Sequence, residues 1–137
     1  MTTATLARFS AAIEAATGLA LIAAPGFVAR LLLGTGLSGS GVAVARVAGF
    51  ALLSLALACW PDTGDVTSSV IRALLAYNLL AALYLGYLRA SGEFVSFLLI
   101  PACVLHALLA LLLARPANGK PFGGKGGRSE RAVAKEQ

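Results

Sequence analysis

The chain has 137 residues, of which 58% are hydrophobic and 12% charged, with a mean hydropathy of +0.84. A soluble domain carries about 25% charged residues, so this share, with the apolar residues grouped in blocks, excludes an ordinary soluble domain and points to a membrane. The net charge of +5 is no nucleic-acid signature: Arg115, Lys120, Lys125, Arg128, Arg131 and Lys135, against Glu130 and Glu136, carry +4 of it in one stretch with no aromatic interleaving or known module.

The first apolar run spans residues 6–24. Glu14 interrupts it, and apolar character resumes at Leu31-Leu32-Leu33. A retained span is therefore expected in place of a cleaved signal peptide, whose apolar region is short and uninterrupted. Pro25-Gly26 breaks or kinks the helix. Phe27 to Leu33 reads as a short interfacial helix, with Arg30 able to snorkel to headgroups. Residues 34–41 (GTGLSGSG) form an uncharged flexible loop.

The second run spans residues 42–60 and ends at Trp60-Pro61. Tryptophan favours the membrane interface, and proline does not continue a helix. Asp62-Thr63-Gly64-Asp65 is a polar turn, and Thr67 or Ser68 is a suitable N-cap for the third run, residues 70–88. The fourth run, residues 94–113, contains Pro101. The remaining residues, 115–137, are basic and glycine-rich without apolar periodicity, and are expected to form a disordered cytoplasmic tail that meets anionic lipid headgroups. Small residues recur every four positions at Gly41, Ala45 and Gly49, a spacing that lets helix backbones approach closely in lipid.

An even number of spans puts both termini on one side. Arg8, Arg72 and the six basic residues of the tail share that side, against Arg30, Arg46 and Arg89 on the other. The positive-inside rule then places both termini in the cytoplasm. Cys59 and Cys103 fall about 2 and 15 Å up from that side at the helical rise, too far apart in depth for a disulfide.

Polar residues inside an apolar span are costly and mark functional sites by default. At about 1.5 Å per residue, Glu14, Tyr77, Asn78 and His106 fall at one level, roughly 10–12 Å from the cytoplasmic ends of their spans. Arg46 and Tyr84 fall at an outer level, about 21 Å up, with Pro101 at about 18 Å. A mid-helix Pro101 would free the Phe97 carbonyl as an acceptor there. Tyr77 and Tyr84, seven residues apart, would share one helix face and link the levels.

Three roles fit Glu14: a neutral carboxyl hydrogen-bonded to Asn78 or His106, a proton or cation carrier, or a group at the interface. Arg46 fits snorkelling, pairing within the bundle or anion binding. Asn78 fits interhelical hydrogen bonding. His106 is the single histidine, and a metal site needs about three or four ligands. No P-loop, HExxH, GxSxG or CxxC motif is present. No metal, cofactor or enzymatic activity is expected.

The segments GLALIAAPGFVARLLLG, ARVAGFALLSLALACWP, RALLAYNLLAALYLGYL and PACVLHALLALLL, in that order, resemble a group of small, mostly uncharacterised bacterial four-span inner-membrane proteins. The marks are Arg46 with Gly49, Cys59-Trp60-Pro61, Tyr77-Asn78, and Pro101 with His106. The general architecture is also similar to that of DoxX-like proteins, without a thiol pair. Small multidrug-resistance transporters likewise have a glutamate in the first of four short spans, but this chain lacks the tryptophan and glycine pattern of their third span. The resemblance implies a bacterial inner-membrane location and little about activity.

The expected fold is an all-α, antiparallel four-helix transmembrane bundle (residues 1–114) with the tail at 115–137. The expected function is that of a small non-enzymatic accessory or interaction subunit, or a binder of a small apolar ligand, with a membrane-protein partner or a second copy of itself. The alternatives are a proton-coupled transporter or channel using Glu14 and a quinone- or thiol-linked redox component.

Overall fold

A computed structural model describes residues 2–60 and 66–115. The proposed basic tail beyond Arg115 lies outside the described residues. The described residues form five helices, with no strand among them: α1 (Thr3–Ala23), α2 (Pro25–Leu33), α3 (Gly39–Ala58), α4 (Ser68–Ser91) and α5 (Leu99–Leu113). Helices α1, α3 and α4 are long and apolar enough to cross a membrane, and α5 is a shorter apolar helix.

Helix α1 starts where Thr2 caps it, its Oγ1 accepting the Thr5 N–H at 3.2 Å. It ends at Ala24 because Pro25 has no N–H to donate. Pro25 then occupies the first position of α2, where a missing donor costs nothing. The short helix expected after Pro25-Gly26 is thus present and includes both residues. Thr67 sits at the N-cap of α4, although its side chain makes no capping bond.

The fourth helix departs from expectation. It begins at Leu99, not Phe94, so Pro101 lies in its first turn, not its middle. First-turn nitrogens have no carbonyl partner within the helix in any case. The Ala102 N–H bonds the Leu98 carbonyl at 3.0 Å, and Phe97 lies in the preceding turn. Pro101 therefore starts α5 and frees no mid-helix acceptor.

Helix α1 packs chiefly on α3, and α4 chiefly on α5; the two pairs touch much less. The first pair is held at a crossing of Gly18 and Gly49. Of the small-residue repeat on α3, Gly49 makes this close approach, whereas Gly41 faces Leu37 and Ser38 just outside its own helix.

The apolar core joins the start of α1 (Leu6, Ala7), the end of α3 (Cys59), the start of α4 (Leu74) and the end of α5 (Leu109, Leu113). At the opposite end the loops interlock. The Ser96 hydroxyl donates to the Leu31 carbonyl, and Gly34, at φ +76°, closes α2 against the Val95 carbonyl.

Candidate functional site

The buried positions of α1 are Leu6, Ala7, Ser10, Ala11, Glu14 and Gly18. Their three- and four-residue spacing is one helix face. Ser10 is one turn beyond core residue Leu6, Asn78 one turn beyond core residue Leu74, and His106 three residues before core residue Leu109. Three helices therefore add a polar layer directly above the apolar core. Ser10, Glu14 and Asn78 are each 0% exposed.

Asn78 organises this layer. Its Nδ2 donates to Ser10 Oγ at 3.0 Å and to the Leu74 carbonyl at 2.8 Å. A carbonyl can only accept, which fixes the orientation of the amide. Asn78 Oδ1 then accepts from His106 Nδ1 at 2.8 Å. The Nδ1–H tautomer follows, leaving Nε2 of a neutral ring as an acceptor. Tyr77 sets its ring edge-on to His106, with centroids 5.7 Å apart and planes at 80°.

Glu14 stands outside these bonds. Tyr77 approaches it from α4, yet neither carboxyl oxygen has a hydrogen-bond partner. The hydrogen bond expected between Glu14 and Asn78 or His106 is absent: the Asn78 amide and His106 Nδ1 bond each other, Ser10 and the Leu74 carbonyl instead. An isolated carboxylate in an apolar interior is prohibitively costly. The buried Glu14 is balanced by a proton, by the neighbouring Tyr77 hydroxyl or by a donor brought from outside the chain.

The structure thus brings Glu14, Tyr77, Asn78 and His106 to one level and adds Ser10, which the sequence reading did not single out. Its signal was the four-residue offset from Glu14, which puts both on one face of α1. The outer pair is not part of this layer. Arg46 is exposed on α3. Tyr84 is exposed on α4 and stacks on Tyr87 at 6.4 Å, so no tyrosine face joins two buried levels. Cys59 and Cys103 are free. Among the described residues no group of three His, Cys, Asp or Glu side chains could hold a metal.

No family model, curated protein or solved structure matches the chain.

Proposed function

We propose that this chain is an integral membrane protein of four antiparallel spans, α1, α3, α4 and α5, with α2 at the outer interface. Large exposed apolar side chains support the membrane reading: Phe9, Leu19, Val44, Phe50, Leu57, Leu80, Leu83 and Leu111 face outward on all four helices. A water-soluble monomer rarely exposes contiguous apolar patches on this scale. At 15 residues, α5 is about 22 Å long, and the bilayer adjusts to such a deficit at modest cost. The excess of basic residues beside both termini favours a cytoplasmic location for them, in a bacterial inner membrane.

Within that frame the protein is a non-enzymatic binder of a small, mostly apolar ligand, acting alone or as an accessory subunit of a membrane partner. The observation that carries this reading is the Glu14 carboxyl, fully buried with both oxygens unpartnered. A ligand hydroxyl or amide N–H would meet it, and Ser10, Asn78 and His106 form a rigid polar wall beside it. Extraction in a mild detergent followed by native mass spectrometry tests this. A bound small molecule is expected on the wild type and lost from Glu14→Gln. A ligand-free wild type, or equal retention by both, overturns it.

Proton-coupled transport is the second reading. It is favoured by Tyr77 next to Glu14 and by the chain of bonds from His106 through Asn78 to Ser10. Proteoliposomes carrying the full chain would then show a proton flux that Glu14→Gln abolishes.

A further inference from the structure

We propose that Glu14 is a proton-binding site that controls the seam between the two helix pairs: the seam between α1 and α4 stays closed while the carboxyl is neutral, and loss of the proton opens it. The proposal rests on the membrane-spanning reading alone and needs no ligand.

The seam is where the molecule is least tied. The α1–α3 pair has its own backbone-close crossing at Gly18 and Gly49. The α4–α5 pair has its own ties, the Cys103 thiol on the Ala82 carbonyl and His106 on Asn78. Between α1 and α4, by contrast, the described residues offer the bond from Asn78 Nδ2 to Ser10 Oγ and the approach of Tyr77 to Glu14. Glu14 lies one turn from Ser10 on that same face, fully buried. A sparsely tied joint between the helix pairs and a buried carboxyl without a well-formed partner therefore coincide above the apolar core.

The other groups around Glu14 leave the proton as its counter-charge. Tyr77 faces it from α4, and His106 of α5 stands behind Tyr77 with its Nδ1–H committed to Asn78. The titratable cations of the elements packed on α1 point elsewhere: Arg30 of α2, Arg46 of α3 and Arg72 and Arg89 of α4 are all exposed, as is Arg8 of α1 itself. When the carboxyl O–H gives its proton to water, the remaining anion has the Tyr77 hydroxyl beside it and no cation in the closed state. Parting of α1 from α4 lets water reach both oxygens. The helices part at this level, hinged on the apolar core of Leu6, Ala7, Leu74 and Leu109 below it, without disturbing Gly18–Gly49 or Cys103–Ala82.

The test is a spin-label distance across the seam in lipid nanodiscs, using the full chain. Labels go on Ala16→Cys of α1 and Ala76→Cys of α4, both exposed positions, in a Cys59→Ala, Cys103→Ala background. The low-pH distance should give way to a longer one as pH rises. Linkage to one proton makes the open-to-closed ratio grow by up to about tenfold per pH unit between the carboxyl's open-state and closed-state midpoints. With Glu14→Gln the low-pH distance should hold at every pH. A single pH-independent distance in the parent, or an unchanged pH response in Glu14→Gln, overturns the proposal. Failure of the underlying membrane reading is separately visible, since the chain would then not float with vesicles at any pH.

Discussion

Gly18 and Gly49 meet backbone to backbone where α1 crosses α3. A Cβ on Gly18 would lie 2.8 Å from the Gly49 carbonyl oxygen, and one on Gly49 would lie 2.7 Å from the Gly18 carbonyl oxygen. Both obstacles are main chain, so no rotamer change makes room. Gly49→Ala and Gly18→Ala should each destabilise the protein by about 1–3 kcal/mol, the usual cost of overpacking. Thermal unfolding in detergent reads this out. Gly26→Ala is the control, because nothing lies within 4 Å of its added methyl. Equal melting temperatures for Gly26→Ala and Gly49→Ala would refute the crossing.

The Ser10–Asn78 bond joins the helix pairs, and its strength is measurable on its own. A double-mutant cycle on Ser10→Ala and Asn78→Ala should return a coupling of about 0.6–1.7 kcal/mol, the range for interhelical hydrogen bonds in membranes. Asn78→Ala should cost more than Ser10→Ala, since it also strands His106 Nδ1 and leaves the Leu74 carbonyl without its side-chain donor. A coupling indistinguishable from zero would mean that the bond contributes no cohesion.

Glu14 should behave in the opposite sense from an ordinary buried polar residue. Little hydrogen bonding is lost when it is replaced, because neither oxygen has a well-formed partner and Tyr77 is the group that approaches. Glu14→Met, similar in length and apolar, should raise stability by about 1–3 kcal/mol, the range for relieving an unsatisfied buried polar group. Glu14→Ala should gain less, because it leaves a cavity whose lining loses contacts. A marked loss of stability in Glu14→Met would mean that the carboxyl has a structural partner.

Much of this arrangement is legible in the sequence. The five helices follow from apolar run length and from Pro25. The shared level of Glu14, Tyr77, Asn78 and His106 follows from helical rise counted from the span ends. What depth could not supply was rotation about each helix axis. Arg46 and Tyr84 share a depth and still point outward, because depth fixes height and not azimuth. Ser10 was missed because a serine in an alanine-rich helix carries no signal until its neighbour at four residues is considered. The isolation of Glu14 was illegible for a different reason: which donors remain for it depends on how Asn78 divides its amide among three partners.

Pro101 offers a direct check on where α5 begins. In the middle of a helix a proline removes a hydrogen bond and costs about 3 kcal/mol relative to alanine. In the first turn it removes nothing. Pro101→Ala should therefore change stability by less than about 1 kcal/mol. A gain near 3 kcal/mol would place the start of the helix further back, toward Phe94.

The loop end depends on Gly34. Its φ of +76° lies in the left-handed region, where an L side chain crowds its own carbonyl at a cost of about 1–2 kcal/mol. Here a second obstacle is added, because a Cβ would stand 2.7 Å from the Val95 carbonyl oxygen. Strain and collision together would push the loop before α5 off the end of α2 and weaken the bond from Ser96 to the Leu31 carbonyl. Gly34→Ala should therefore cost more than the left-handed penalty alone, and it should speed hydrogen exchange at residues 94–98. Exchange there that matches the wild type would mean that α2 and this loop are not held together through Gly34.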